Sequence, residues 1–175
     1  MAEIVDARPA GPASEATIAE LETHIGHPLP ADYRAFLLEH NGGCPEPDAF
    51  TLRLFDDEEE EDVVMCFFPA RELALGTVEV PAFEELRTWP LHSARDDLQH
   101  DLVHLCDKVM EEPLLPIGTD GSTNYFCLEL SGHRAGSVLF LESEMAETAL
   151  LADSFTLFLG SLRPRERTDY ANELS

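Results

Sequence analysis

An α+β fold is what this sequence predicts: a mostly antiparallel or mixed sheet with helices packed on one face, two of them N-terminal and one C-terminal. Three observations lead there. Two amphipathic helical patterns come first, between Ser14 and His40; the segments of strand character are grouped from Phe50 to Phe68 and from Leu114 to Ser143; and a last helical pattern closes the chain around Phe155 to Leu162. Helices at the ends and strands in the middle separate the two element types along the chain, whereas a doubly wound fold would alternate them. At 175 residues the chain suits one domain, able to bury roughly two-thirds or more of its unfolded surface.

The leader over residues 1–13 contains "DARPAGPA", with little to bury, and is expected to be flexible. The domain is expected to span 14–163. In "SEATIAELETHIGHP", Ile18, Leu21 and Ile25 recur at helical spacing, Thr17 and Glu20 can form a capping box, and Gly26 and Pro28 close the helix. "LPADYRAFLLEHNGG" follows: Pro30 suits the first turn, Tyr33, Phe36, Leu37 and His40 share a stripe, and Asn41 and Gly42 suit the left-handed backbone that ties off a helix end. "FTLRLF" (Phe50 to Phe55) alternates like an edge-side strand, and "VVMCFF" (Val63 to Phe68) is apolar on both faces like a central one.

Between those strands lie Asp56, Asp57, Glu58, Glu59, Glu60, Glu61 and Asp62, which a hairpin would place at its tip. The run reads either as a solvated loop that keeps "VVMCFF" from aggregating, or as an electrostatic hook for an Arg/Lys-rich partner that increases association rate more than affinity. It lacks the glycine and alternating ligands of a calcium loop.

Further on, Ser93 and Asp96 can cap a helix to about Met110, with Leu98, Leu102, Leu105 and Val109 as its buried stripe; Asp96, Asp97 and Asp101 make that region acidic. Asp96, His100, His104 and Asp107 follow one another on the opposite face, a spacing that allows a divalent metal, although "HDLVH" lacks the glutamate of the H-E-x-x-H motif. "LLPIG" (Leu114 to Gly118), "NYFCLEL" (Asn124 to Leu130) and "SVLFLES" (Ser137 to Ser143) read as strands, the last two as a hairpin. "DSFTLFLGSL" places Phe155, Phe158, Leu159 and Leu162 on one side of the closing helix, before a polar tail over 164–175.

The charge narrows function. With 35 acidic and 11 basic residues the formal net charge is -24, which disfavours nucleic acid and anionic membranes and either steers a cationic partner or simply serves solubility. Residues 1–14 have no basic region followed by an apolar one, and Cys44, Cys66, Cys106 and Cys127 form no C-x-x-C pair; both features predict a cytoplasmic protein with reduced, packed thiols. "IGTDGST" lacks the G-K-[ST] of a phosphate loop, no G-x-S-x-G elbow is present, and neither an enzyme nor a cofactor is predicted.

"GHPLPADYRAFLLEHNGG" resembles the N-terminal signature of the SMI1/KNR4, or SUKH, superfamily through Gly26, Leu29, Pro30, Tyr33, Phe36, Leu37, Asn41, Gly42 and Gly43. "LLPIGTDGSTNYFCLELSGHRAGSVLFLESE" is similar to its later segment at Pro116, Ile117, Gly118, Asp120, Asn124, Leu128, Gly136, Val138 and Phe140. Two positions depart from the pattern: Thr123 stands where a glycine is common, and Glu129 where an aspartate is expected. The resemblance implies an α+β domain whose bacterial members largely act as immunity proteins, neutralising a cognate polymorphic toxin, often a nuclease, by direct binding. On that reading the carboxylates from Asp56 to Asp62 are the first candidates for contact, and Asp96, Asp97 and Asp101 the second. The alternatives are a regulatory adaptor or scaffold, as eukaryotic members imply, and a metal-dependent enzyme or sensor at His100 and His104.

Overall fold

Ser14 starts the first helix, α1 (Glu15–Ile25): its backbone is extended and its Oγ accepts a hydrogen bond from the Thr17 amide at 3.0 Å. The cap therefore sits one turn before the expected Thr17–Glu20 box, a placement that brings Glu15 into the first turn where the helix dipole favours a carboxylate. Ile18, Leu21 and Ile25 are buried, and Gly26, at a φ of 73°, ends the helix by donating its amide to Glu22. The Glu22 side chain then accepts from the Leu29 amide at 2.9 Å and fixes the elbow into α2 (Ala31–Glu39), which Pro30 begins. Arg34 reaches back from α2 to pair with Glu15 of α1. The computed structural model describes residues 2–5, 11–53, 59–70, 114–122, 124–142 and 147–165.

The strands are β1 (Glu3–Val5), β2 (Cys44–Glu46), β3 (Ala49–Leu52), β4 (Glu60–Val63), β5 (Cys66–Phe67), β6 (Leu114–Thr119), β7 (Tyr125–Glu129), β8 (Val138–Glu142) and β9 (Glu147–Ala152). β5 to β9 form a five-stranded antiparallel sheet in sequence order, and β1–β2 and β3–β4 are two-stranded antiparallel pairs. Two expectations change here. Within the leader expected to be flexible, Glu3, Ile4 and Val5 pair with Glu46, Pro45 and Cys44. And "VVMCFF" is not one central strand: Val63 ends β4 and Cys66 opens β5, which lies at the edge of the five-stranded sheet.

The switch happens within two residues. The Val64 amide donates to Asp48 O at 2.8 Å and the Met65 amide to Thr119 O at 2.9 Å, so the chain changes hydrogen-bond partner from the β3 side to β6. An apolar run is compatible with both partners, because Val64, Cys66 and Phe67 are buried on either side of the crossing. The register of β6 against β7 shifts between Pro116 and Gly118, a bulge that fits a strand in which proline supplies no ladder donor.

The helices α1, α2 and α3 (Phe155–Ser161) bury their apolar stripes in one cluster with Leu115, Ile117, Phe126, Leu128, Val138 and Phe140 of the sheet. Its centre is aromatic: Phe155 meets Tyr33 edge-on at 4.9 Å and lies 4.8 Å from Phe36, and Phe158 lies 5.6 Å from Phe126. Such offset and edge-on pairs add about 0.5–1.5 kcal/mol each beyond area burial. Asp32 joins the two helix ends, its two oxygens accepting from the Tyr33 and Thr156 amides at 2.9 Å each. The other face of the sheet carries a smaller buried cluster of Leu114, Cys127, Leu139 and Leu141. The helix predicted over Ser93 to Met110 lies outside the described residues. Past α3, Arg163 exchanges both backbone hydrogen bonds with Ala49, at 3.0 and 2.9 Å.

Candidate partner-binding surface

Glu60, Glu61 and Asp62 are strand rather than hairpin tip, standing opposite Leu52, Thr51 and Phe50 in the β3–β4 ladder. This corrects the expectation of one acidic loop. Two of the carboxylates are already engaged: Glu59 pairs with Arg53, and Glu61 pairs with Arg163, whose other terminal nitrogen donates to Thr51 Oγ1 at 2.9 Å. Asp56, Asp57 and Glu58 lie outside the described residues, as do Asp96, Asp97, Asp101, His100, His104 and Asp107.

Asp62 is half-buried, and its Oδ1 accepts from the Val63 amide at 2.7 Å. Burial first, then the nearby carboxylates Asp120 and Glu60, hold its carboxyl above the ordinary aspartate range, against the lowering effect of the Val63 hydrogen bond. A carboxyl raised in the folded state binds its proton more readily there than in the unfolded chain. Its stabilising contribution is therefore present below the ordinary aspartate value and lost as pH rises through the raised one. Asp62→Asn, which keeps the Oδ1 acceptor, is expected to stabilise the protein at neutral pH by roughly 0.5 kcal/mol, the scale of a solvent-screened charge pair. Urea unfolding at neutral pH and near about pH 3 checks this, since the gain must vanish once the parent aspartate is protonated in both states.

Beside this ladder lies a cleft of about 800 Å³. Val63, Val64 and Met65 line one side at the β4–β5 crossing, Pro45 and Pro47 line another, and Asp48, Asp120 and Arg165 supply charge. Asp120 is oriented by the turn it closes: its carboxylate accepts from the Ser122 amide and from Asn124 Nδ2, each at 2.8 Å. Asp48 accepts from Arg165 Nε at 3.1 and 3.2 Å to its two oxygens. The arrangement is an apolar trough with carboxylates at its wall, suited to an extended segment that presents apolar and cationic side chains together. Sequence reasoning did not single out Asp48 or Arg165, because nothing in "PEPDAF" or "RPR" shows that 117 positions of separation close to a bidentate contact.

Of the residues that carried the family resemblance, Asp120 lines the cleft, whereas Asn41 and Tyr33 are framework. Asn41, at a φ of 57°, donates through Nδ2 to Gly11 O at 2.9 Å and accepts from the Ala70 amide at 2.8 Å, joining the leader, the end of α2 and the segment after β5. Tyr33 is fully buried, its phenol held well above its ordinary range by that burial. Among the described residues no three His, Cys, Asp or Glu side chains are grouped to hold a metal ion, and no helix is long and apolar enough to cross a membrane. Cys66 and Cys127 are buried, and burial pushes the Cys127 thiol far up, away from reactive thiolate.

Comparison with known proteins accords with this framework. The chain is 29% identical over 150 residues to the SPbeta prophage-derived uncharacterized protein YokK of Bacillus subtilis (strain 168), an alignment that covers 83% of this chain and 72% of that protein. A family model matches residues 12–161, from the residue before Ala13 to the last residue of α3, a span that takes in the three helices and β2 to β9 but not β1. With that extent of match, the chain belongs to the SMI1 / KNR4 family (SUKH-1).

Proposed function

We propose that this protein is an immunity-type binding protein that acts in the cytoplasm and neutralises a cognate, basic polymorphic toxin by direct contact. The observation that carries the reading is membership of a family known for immunity-type domains, matched over residues 12–161. The charge supports it, since a formal net charge of -24 steers a basic partner, nucleases included, toward the acidic surface. Neutralisation of this kind requires only that the carboxylates occupy the partner's cationic groups, with no chemistry by this chain.

In this proposal the run from Asp56 to Asp62 steers association, with Asp96, Asp97 and Asp101 as a second group of contacts. Replacing the seven acids of the run by Asn and Gln is expected to slow association about tenfold at low ionic strength and to flatten its salt dependence, with a smaller change in dissociation. Stopped-flow or surface-based kinetics against the product of the neighbouring gene measures this. Unaltered association would remove the run from the mechanism. The reading itself is tested by co-expression: the chain must restore growth to cells producing that neighbour, and failure to bind or to rescue defeats it.

A further inference from the structure

We infer that the cleft walled by β2, the β4–β5 crossing and the C-terminal segment docks an arginine-bearing stretch of the basic partner, whose guanidinium replaces Arg165 on Asp48. The inference rests on the reading of the chain as an acidic immunity-type binder and names where and what it grips. Three features of the cleft lead to it.

The first is size and lining. About 800 Å³ admits a few residues of extended chain, and Val63, Val64 and Met65 offer an apolar side for their flanking groups. Pro45 and Pro47 lack amide hydrogens, so this wall offers few backbone donors and favours recognition through side chains.

The second is that a guanidinium already occupies Asp48. Arg165 Nε donates to both carboxylate oxygens and Nη2 donates to Oδ2, the fork geometry that arginine makes and lysine does not. The acceptor is three-quarters covered, with 25% of the Asp48 side chain exposed, whereas 61% of the Arg165 side chain is exposed. Asp48 is therefore built into the wall and its present donor is laid on from outside, a contact of the exposed kind that contributes little to stability and exchanges readily. Arg163, by contrast, is fastened through its backbone to Ala49.

The third is the surrounding field. Asp120, which lines the cleft, and Glu60 lie near enough to Asp62, next to the lining residue Val63, to disfavour its charge. A cation entering the cleft relieves that repulsion, so charge complementarity favours an arginine over a neutral side chain.

The experiment titrates the full chain with the peptide acetyl-Leu-Arg-Leu-amide, and with its citrulline counterpart, while amide shifts are followed by NMR. Saturable shifts at Asp48, Val64, Met65 and Gly121, at least tenfold weaker with citrulline, are expected. Asp48→Asn is expected to weaken binding of the arginine peptide at least tenfold, and Arg165→Ala to tighten it about three- to tenfold by removing the competitor. Glu20→Gln, on the exposed face of α1, controls for net charge and is expected to change nothing. Equal binding of citrulline, shifts scattered over the acidic surface, or no gain from Arg165→Ala would each overturn the inference. Cleft amides that shift on dilution of the protein alone would assign the cleft to a second copy of the chain and overturn it as well. The peptide titration needs no toxin, so an empty cleft beside intact rescue sinks this inference alone, and a filled cleft without rescue sinks the functional proposal.

Discussion

Gly42→Ala is expected to destabilise the domain by about 3 kcal/mol, combining a strained backbone with a clash that has nowhere to relax. Gly42 sits at a φ of 91°, and a Cβ built there would meet Phe67 O at 2.8 Å and Phe68 C and Pro69 N at 3.1 Å, all backbone atoms. Moving the β5 backbone away would break the reciprocal hydrogen bonds between Gly43 and Phe67, 3.1 and 2.8 Å long, by which the turn after α2 is laid against the sheet. For a domain of this size the loss corresponds to a fall in melting temperature of about 6–12 °C. Gly160→Ala is the control: it lies within α3 with nothing inside 4 Å of its Cβ position, and it is expected to stabilise by roughly 0.5–1 kcal/mol. Opposite signs for the two glycines follow only if close approach, and not glycine content, is what matters. Equal effects would sink the account.

Gly42 also marks where the sequence was most legible. Helix starts and stops depend on residues within one turn of each other, so Gly26, Pro30 and Asn41 announce their roles locally. The strands from Leu114 to Glu142 were equally visible, because β7 is buried on both faces and its apolar run, bounded by turn residues, has no helical alternative of that length. β9 was not. Its sequence "ETALLA" has neither β-branched residues beyond one threonine nor aromatics, and its strand state comes from pairing with β8, which no local pattern records. The acidic run failed for a related reason: charge pattern marks Glu60 and Glu61 as exposed, but a ladder partner at Phe50 to Leu52 decides whether Glu60 to Asp62 are strand or tip.

The candidate site was the least legible part, since the cleft is assembled from Val5, the β2–β3 link, the β4–β5 crossing, Asp120 and the C-terminal segment. Those pieces are brought together by the switch of partner at Val64 and Met65, and the switch is itself a property of the sheet. What the sequence does offer is sign: an excess of carboxylates so large that the sparse arginines at positions 53, 163 and 165 are drawn into ion pairs with Glu59, Glu61 and Asp48. A surface of this kind keeps a few of its own cations in ion pairs, which is the physical link between its composition and the proposed grip on a basic partner.

One arginine does different work. Arg134→Met is expected to destabilise the protein by about 3 kcal/mol, at the low end of what unpairing a buried carboxylate costs because part of the arginine reaches solvent. Glu129 is completely buried on β7, and among the described residues neither of its carboxylate oxygens has a hydrogen-bond partner. Arg134 Nε stands 3.3 Å from Glu129 Oε2 with 38% of its side chain exposed, so the guanidinium covers the acid from the turn between β7 and β8. The turn is close on the other side as well, for a Cβ at Gly132 would lie 3.1 Å from Glu129 Oε1. Without the cation, the buried charge must ionise unaided or draw water under the turn, and either loosens the hairpin. Glu129→Met combined with Arg134→Met removes the charge and its counter-ion together, and the double variant is expected to be more stable than Arg134→Met alone by at least about 1 kcal/mol. Denaturant unfolding of the four members of that cycle measures the coupling directly. A single variant as stable as the parent would mean that the carboxylate finds its compensation elsewhere, and that the longer acid at this position was never held by the turn.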